Sequence, residues 1–345
     1  MVIFSSFLIN FFVTFKKNFK ICLASRSQAP IMEECDFIID EGATAMTVLA
    51  LFYCLFISFI WGVTPLVYRA WGTKYPSMKL VALRGLGFLC FAICAVVVGR
   101  APLIVWHPKF FLSVAVTTVS MCFGDWLNLV AVSALGAGRT TALIAVYPLY
   151  TLIISVLFLG EALTVPAIVG AVGLVCGAVL LRPRKAAPSN ADALVSKKVG
   201  FACTVVASVL MSLSMVCNKI VMNTGLVRSD TLIFGKAVAV CCVSWTIWLV
   251  IHHKKYPQTS VVRLPGLPFG FLMATGLLSL GLANTLVTEA LNMAPASLVT
   301  PLCASGPLWA SLGGLFIFKE RMTAVQWVGV CLILGSAAAV SLSIA

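Results

Sequence analysis

The sequence has few charged residues. Asp, Glu, Lys and Arg make up 10% of its 345 residues, and only 11 of them are acidic. A soluble domain typically has about 25% charged and 45–50% apolar residues, whereas 61% of this chain is hydrophobic. This composition excludes a water-soluble fold, because too many apolar side chains would face solvent.

Enzyme and metal-site motifs are also missing from the sequence. It has no nucleophile elbow, zinc motif or phosphate-binding loop, and no His or acid stands at ligand spacing from the pairs Cys90/Cys94 and Cys241/Cys242. The cysteines are scattered through apolar runs, where they behave as small hydrophobic residues. We therefore predict that the protein is not an enzyme and has no metal or other cofactor. The net charge of +13 does not indicate a nucleic-acid partner, because the basic residues lie in loops between apolar runs.

Ten apolar runs follow one another from residue 46 to residue 345. They cover residues 46–68, 80–99, 110–134, 140–159, 164–181, 199–222, 231–251, 267–291, 296–317 and 324–344. A hydrocarbon core about 30 Å thick needs roughly 20 helical residues. Runs such as Val165–Leu181 lack the alternation of transmembrane strands. The predicted fold is an all-α integral membrane protein with ten transmembrane helices.

Two stretches of the chain share one pattern. PLYTLIISVLFLGEALT and PLWASLGGLFIFKERMT align Pro148 with Pro307 and Glu161 with Glu320 at an offset of 159 residues. An internal duplication in a membrane chain is typical of a secondary transporter built from two repeats. Each repeat has five predicted helices, which is an odd number, so the repeats enter the membrane in opposite orientations.

The sequence divides into four predicted parts. They are an N-terminal extension (1–45), a first five-helix repeat (46–181), a solvated linker (182–198) and a second five-helix repeat (199–345). We interpret the extension as disordered, or as lying upstream of the true start at Met32 or Met46. A targeting or anchoring segment and an interfacial helix are the alternatives.

Basic residues favour one side of the predicted membrane topology. Fourteen Lys and Arg residues lie in the loops 1–2, 3–4, 5–6, 7–8 and 9–10, whereas the opposite side has Arg100, Lys109 and Arg228. The positive-inside rule then places both ends of the ten-helix core outside the cytosol. The protein is predicted to be a multi-pass protein of the plasma membrane or of an organelle.

The repeated motif resembles the EamA-type transporters of the drug/metabolite transporter superfamily. The resemblance rests on Pro148 with Leu-Gly-Glu-Ala-Leu-Thr at 159–164, on Pro307 with Phe-Lys-Glu-Arg-Met-Thr at 318–323, and on Trp61-Gly62. It implies two inverted five-helix repeats around a central cavity and alternating-access transport of small metabolites. Helices 1–4 and 6–9 would line this cavity.

The second repeat departs from this pattern in its first helix. Cys217-Asn218-Lys219 stands near the place where Trp61-Gly62 would recur. The two gates that the family resemblance implies are therefore expected to differ chemically.

Five charged residues lie inside the apolar runs, namely Arg84, Asp125, Lys219, Lys236 and Glu289. A charge at a helix centre costs about 2.5–3.5 kcal/mol on insertion scales, so such residues usually have a role. A rise of about 1.5 Å per residue places Arg84 near the depth of Asp125, and Lys219 near that of Glu289. Each pair is either a structural ion pair or a contact for substrate, coupling ion or gate.

Polar and kinking residues complete the set of candidates. Asn128 and Asn284 align across the repeats at an offset of 156, and with Tyr147 they are candidates for binding polar substrate groups. Pro148 and Pro307 are predicted to kink their helices, because proline removes a backbone hydrogen bond.

The threonines of the repeated motif are predicted helix N-caps. Thr164 and Thr323 each follow a glutamate, Glu161 or Glu320, by three residues. The two glutamates then lie in tight turns at the membrane edge, where a structural role is favoured over a substrate contact.

The deep charges favour one class of substrate. Three are basic and two acidic, which suits anionic or zwitterionic metabolites. Helix 1 has no acid, unlike the drug-exporting small multidrug-resistance branch that the superfamily also contains. We expect a secondary transporter that moves a small polar metabolite by alternating access. An exchanger of nucleotide sugars or phosphorylated sugars in an internal membrane, and a non-transporting scaffold or receptor, are the alternatives.

The expected partners are a small-molecule substrate and the lipid bilayer. Protons are a further candidate partner, acting through Asp125 or Glu289. Gly173 and Gly177 form a GxxxG motif, which predicts close helix packing either within the subunit or in a homodimer.

Overall fold

A computed structural model describes most of the chain after residue 48. The described residues are 49–64, 75–135, 140, 143–161, 164–181, 196–255, 266–318 and 322–342, and all belong to one compact unit that spans residues 46–345. The N-terminal extension 1–45, most of the linker 182–198, and Glu320 lie outside them. Predictions for those segments therefore stay predictions.

Helices make up the described part of the chain, and it contains no strand. In chain order they are α1 (Leu49–Thr64), α2 (Ser77–Gly99), α3 (Pro108–Leu135), α4 (Tyr147–Leu159), α5 (Val165–Leu180), α6 (Lys197–Met222), α7 (Ser229–Lys255), α8 (Gly266–Met293), α9a (Ala296–Cys303), α9b (Gly306–Phe318) and α10 (Ala324–Leu342). α2, α3, α6, α7 and α8 are long and apolar enough to cross a membrane by length and composition. The apolar helices α1, α4, α5 and α10 are shorter.

Side-chain caps set where several helices begin. Thr164 accepts a hydrogen bond from the backbone N of Ala167, with the two atoms 3.4 Å apart. Thr323 and Gln326 form a reciprocal capping box, in which Thr323 N donates to Gln326 Oε1 over 2.8 Å. The prediction that both threonines are N-caps is confirmed.

Turns interrupt two of the expected helices and shorten them. Val146 N donates to Leu143 O, and 159 residues later Ser305 N donates to Leu302 O; both distances are 3.3 Å. These turns come just before the helices that start with Tyr147-Pro148 and Gly306-Pro307. The prolines therefore lie in a first helical turn, where a missing N–H costs nothing, and they mark a break where the sequence predicted a kink.

Two of the long helices contain a π-helical segment. It covers Ser120–Gly124 in α3 and Gly276–Leu282 in α8. The segments start 156 residues apart, at the offset that also relates Asn128 to Asn284. A π segment often marks a functional site, and its recurrence in both repeats shows that they share this local backbone.

Equivalent helices of the two repeats pack against each other in antiparallel pairs. In the α5–α10 pair, Gly173 faces Ser336, and Gly177, one turn later, faces Gly329 and Ile333. The GxxxG motif therefore serves packing inside this chain.

The α2–α7 pair is also antiparallel. Gly85 meets Cys241 and Ser244, whereas Gly99, fourteen residues later, meets Asp230. Residue numbers thus rise along one helix as they fall along the other.

Contacts sort the helix ends into two groups. In the first group, Thr231 at the start of α7 donates to the carbonyl of Pro102 after α2, over 2.7 Å. In the same group, Glu161 after α4 accepts from the backbone N of Ala296 at the start of α9a, over 2.8 Å. This group thus contains the connections 2–3, 4–5, 6–7 and 8–9.

The second group contains described helix ends of α3, α5, α6 and α10. Gln326 at the start of α10 donates to the carbonyl of Leu181 at the end of α5, over 3.3 Å. The end of α3 at Leu135 packs against Gly200 at the start of α6. Successive helices thus run in alternate directions between the two groups.

We predict that Gly177→Leu disrupts the α5–α10 pair. A Cβ at this position would lie 2.6 Å from Ile333 Cγ1 and 2.8 Å from Gly329 O, so added side-chain atoms overpack the contact, at a cost of about 1–3 kcal/mol. Thermal unfolding of the purified protein in detergent should show a lower midpoint.

Gly335→Leu is the matched control, because it adds the same side chain to α10 where nothing lies within 4 Å. Equal loss of stability in both variants would show that the close contact at Gly177 has no special weight.

Candidate functional site

The carbonyl of Ser279 is the centre of a buried polar cluster. It lies in the π segment of α8 and accepts two side-chain hydrogen bonds, from Trp61 Nε1 and Asn284 Nδ2, both over 3.2 Å. A π segment displaces carbonyls from the regular ladder, and a released carbonyl inside a membrane needs another donor. The cluster therefore joins α1 of the first repeat to α8 of the second.

Arg84 connects the same cluster to α3. Its Nη1 lies 2.7 Å from Asp125 Oδ2, and its Nη2 lies 3.4 Å from Ser279 Oγ. The Arg84 side chain is 7% exposed and that of Asp125 33% exposed. Asp125 is the residue that directly follows the π segment of α3. The cluster thus brings together both π-containing helices and a partly buried ion pair.

Glycines allow the helices around Arg84 to approach closely. A Cβ on Gly276, the first residue of the α8 π segment, would collide with the carbonyl of Arg84, and a Cβ on Gly87 would collide with that of Met273. This backbone contact between α2 and α8 holds the guanidinium at the depth of Ser279.

The break in the ninth helix packs against α1. A Cβ on Gly62 would collide with the carbonyl of Gly306 and lie 2.7 Å from Trp309 Cβ. Trp309 Nε1 donates to Ser58 Oγ over 2.8 Å. The Trp61-Gly62 motif thus has two roles, in which the tryptophan binds the π segment of α8 and the glycine admits the broken helix.

The break before α4 packs against α6 in a corresponding way. The Tyr147 carbonyl accepts from Ser212 Oγ over 2.7 Å, and Ser212 Oγ is also 2.9 Å from Ser208 O. The Tyr147 hydroxyl donates to the carbonyl of Thr300 in α9a, over 3.3 Å. Tyr147 therefore links the two broken helices to each other.

Glu161 caps a helix of the other repeat. Its carboxylate accepts from the backbone N of Ala296 over 2.8 Å and of Ser297 over 2.9 Å. A carboxylate at a helix N-terminus satisfies free N–H groups and complements the helix dipole. This agrees with the structural role expected for the glutamate.

Lys219 binds the adjoining end of α8. Its Nζ donates to the carbonyl of Leu291 over 2.6 Å and to that of Ala294 over 3.0 Å. Glu161 lies within electrostatic range of Lys219. A lysine and a glutamate therefore both hold the turn between α8 and α9a, whereas an ion pair of Lys219 with Glu289 was one of the roles that the sequence left open.

The remaining candidates are Glu289, Lys236 and Asn128. Glu289 is half-buried in α8, beside Ser229 and Asp230 of α7. Lys236 is fully buried in α7. Asn128 is half-buried one turn after the π segment of α3.

A cavity of about 160 Å³ opens between α2, α3 and α7. It is lined by Met78, Cys122, Phe123, Trp126, Ile247 and Ile251. This lining is apolar, so the cavity does not suit a polar metabolite. Within the described ranges, no three His, Cys, Asp or Glu side chains are placed to hold a metal ion.

Comparison with known proteins decides the family. The model of the EamA-like transporter family matches residues 48–182 and 198–342. The chain belongs to the EamA-like transporter family. This family is part of the drug/metabolite transporter superfamily, and its members are transporters rather than enzymes. The match in two parts shows a two-repeat architecture, and this EamA-like chain is an integral, multi-pass membrane protein.

A solved structure shows the same fold. This EamA-like chain superimposes on a chain described as "Crystal structure of protein", with a TM-score of 0.70 and 17% sequence identity. The superposition covers 87% of this chain and 99% of the other. At this identity the similarity concerns the fold alone. No curated protein matches the sequence.

Sequence reasoning missed the small polar residues of the site. Ser279, Ser58, Ser212 and Thr300 are ordinary residues in apolar helices, and their roles depend on helix irregularities that no sequence pattern marks. The signal that does find them is indirect, because a buried Trp N–H or Tyr O–H in a membrane helix requires an acceptor.

We predict that Asp125→Asn destabilises the protein more than the double variant Arg84→Met/Asp125→Leu. The single change leaves a buried guanidinium without its carboxylate, which costs about 3–5 kcal/mol in fully buried pairs and less here, because Asp125 is partly exposed. Thermal unfolding compares the midpoints of the two variants. A lower midpoint for the double variant than for Asp125→Asn would contradict the prediction.

Substitutions of Glu161 are expected to form a graded series. Glu161→Gln keeps one acceptor oxygen but loses the charge, and Glu161→Ala loses both, at a cost of about 0.5–2 kcal/mol for a lost cap. Unfolding midpoints should fall in the order wild type, Glu161→Gln, Glu161→Ala. If the midpoint of Glu161→Ala equals that of wild type, the Glu161 cap of α9a contributes no stability.

Proposed function

We propose that this protein is a secondary transporter that moves a small anionic or zwitterionic metabolite by alternating access. The proposal rests on one observation, that each repeat contains one broken helix and one π segment, at equivalent places. Interrupted helices at the middle of a bundle are a common way for transporters to present polar groups to a substrate.

Ten membrane crossings in two inverted repeats are part of this proposal. Its support is the alternation of helix ends between two groups, together with the antiparallel α5–α10 and α2–α7 pairs. Inverted repeats related by an axis in the membrane plane bring such equivalent helices together antiparallel. On the positive-inside rule, the group of ends that contains Glu161 and Ala296 then faces away from the cytosol.

We infer that the non-cytosolic exit is closed in this conformation. Glu161 of the first repeat holds α9a of the second, and Lys219 holds the preceding turn. Alternating access requires the repeats to move relative to each other, so opening this side breaks the two Glu161 hydrogen bonds. They are exchangeable with water at the membrane surface, which suits a contact that forms and breaks in each cycle.

Arg84 and the polar cluster around it supply the proposed substrate contact in the first repeat. A guanidinium forms paired hydrogen bonds with carboxylates and phosphates, and Asp125 is the group that an anionic substrate would displace. Asn284 and Trp61 border the same carbonyl and complete the polar surroundings.

Proton coupling through Asp125 or Glu289 is a separate part of the proposal. Asp125 and Glu289 are the membrane-embedded acids, and either can take up a proton during the cycle. Uptake by Asp125→Asn and Glu289→Gln at several pH values tests it. If neither variant changes the pH dependence, protons are not coupled through these acids.

Counterflow in proteoliposomes tests the transport function. Proteoliposomes that contain the purified protein are loaded with unlabelled amino acids, carboxylates, sugar phosphates or nucleotide sugars, and uptake of the matching labelled compound is measured. We expect exchange of an anionic or zwitterionic compound. Preference for a nucleotide sugar would instead support the exchanger of an internal membrane, and no flux for any class would favour a scaffold.

We predict that Pro307→Ala slows transport. Alanine restores an N–H that can bond to the Cys303 carbonyl, so the variant favours a continuous helix over the break. The exchange rate should fall while the protein remains folded. Ala310→Leu in the same helix changes side-chain size without adding a backbone donor and serves as a control; an equal effect of both would show that the break itself is not needed.

A further inference from the structure

Lys236 is a buried cation that the polar cluster at Ser279 does not use. Its side chain is 0% exposed in the middle of α7, and no described residue hydrogen bonds with its Nζ. The titratable neighbour in electrostatic range is the Cys217 thiol of α6. Within the described part of the chain, this ammonium therefore has no carboxylate to balance it.

The surroundings of Lys236 do not explain it as a packing residue. Leu232, Ile233 and Ala237 beside it on α7 are fully buried, and Gly235 packs against Phe110 of α3. Burying an unpaired ammonium costs several kcal/mol, and an apolar side chain of similar volume is often more stable in its place. A lysine here thus lowers stability, as residues of binding sites often do.

The two repeats differ in the acid that faces their cation. In the first repeat, Asp125 follows the π segment of α3 and pairs with Arg84 of α2. At the offset of 156, the second repeat has Gly281 in place of Asp125, and a Cβ there would lie 2.5 Å from the Phe91 ring. Lys236 is the eighth residue of α7, as Arg84 is the eighth residue of α2. The second repeat therefore has a cation on its second helix and lacks the matching acid on its third.

Buried polar side chains join α3 to α6 close to Cys217 in the sequence. Ser113 donates to Asn218 Oδ1 over 2.9 Å, and the hydroxyls of Thr117 and Ser214 are 3.0 Å apart. All four side chains are buried. Asn218 directly follows Cys217, and this pair stands near the place where Trp61-Gly62 would recur. The side chains of Cys217 and Asn218 are both smaller than that of tryptophan.

We propose that Lys236 binds an anionic oxygen group of the transported substrate, a carboxylate or a phosphate, between α3, α6 and α7. The anionic group of the substrate is the counter-ion of the Lys236 ammonium, and the hydroxyl and amide groups on α3 and α6 complete its hydrogen bonds. This inference rests on the proposed transport function and adds a substrate subsite in the second repeat, separate from the Arg84–Asp125 pair.

Thermal unfolding of the full-length protein in detergent tests the subsite. The probes are succinate, inorganic phosphate, glucose 6-phosphate and UDP-glucose, with succinamide as the uncharged match and sodium chloride as the ionic-strength match. A ligand that binds only the folded state raises the unfolding midpoint. We expect a rise with at least one anionic probe and none with succinamide, and the probe that works distinguishes carboxylate from phosphate.

Lys236→Met is the decisive variant, because a structural role and a substrate role predict opposite signs. For a substrate role, the variant unfolds at a higher temperature than wild type without probe, and it loses the rise that the anion causes. The affinity for the anion should fall about 10- to 100-fold, the range for a lost charged hydrogen bond. Lys236→Arg should keep part of the response.

Lys79→Met is the matched control, since Lys79 is a buried lysine at the start of α2. It should leave the response to the anion unchanged. Lys236→Gln repeats the measurement without charge if the methionine variant does not fold. The proposal is overturned if Lys236→Met lowers the midpoint and keeps the anion response, or if no anionic probe stabilises the wild type.

The same variant separates this proposal from transport itself. Wild-type exchange that Lys236→Met leaves intact would refute the subsite and keep the transporter. Absence of exchange by the wild type, with anion binding that depends on Lys236, would refute the transporter and keep the site.

Discussion

Backbone groups that leave the helical ladder inside the bilayer must find partners within the protein, and this constraint organises the structure. The Ser279 carbonyl in a π segment takes its hydrogen bonds from Trp61 and Asn284. At the break before α4, the Tyr147 carbonyl belongs to the first helical turn and takes an additional hydrogen bond from Ser212. Each irregularity costs several kcal/mol if it is left unsatisfied in lipid. The side chains that satisfy these groups are consequently the ones that join different helices.

The same constraint explains why the polar contacts connect the two repeats. Trp61, Arg84 and Glu161 belong to the first repeat, and each reaches a backbone or hydroxyl group of the second. On the proposed topology, water can replace the Glu161 contact at the membrane surface, but it cannot readily replace the Ser279 contacts inside the bundle. A stable centre between the repeats and an exchangeable contact at one end are what a rocking motion requires.

The repeats keep a common backbone and differ in their side chains. The π segments and the breaks recur at constant offsets, because both are needed to shape the centre of the bundle. The ion pair recurs only in part, since Gly281 stands where Asp125 would be. A symmetric backbone with asymmetric charges would suit the anionic or zwitterionic substrate that we propose, with its anionic end toward one repeat.

The amino-acid pattern alone was enough for the all-helical membrane fold, the two repeats, the family and the threonine caps, because apolar length, periodic duplication and capping chemistry are local properties of a chain. It also predicted that Arg84 and Asp125 lie at a similar depth, since the rise per residue is constant along a helix. The break before Pro148, the π segments and the acceptors of Lys219 depended on packing between distant helices. Such features come from side chains and carbonyls that meet only when the bundle closes, and no spacing along the chain records which carbonyl will be released or which donor will reach it.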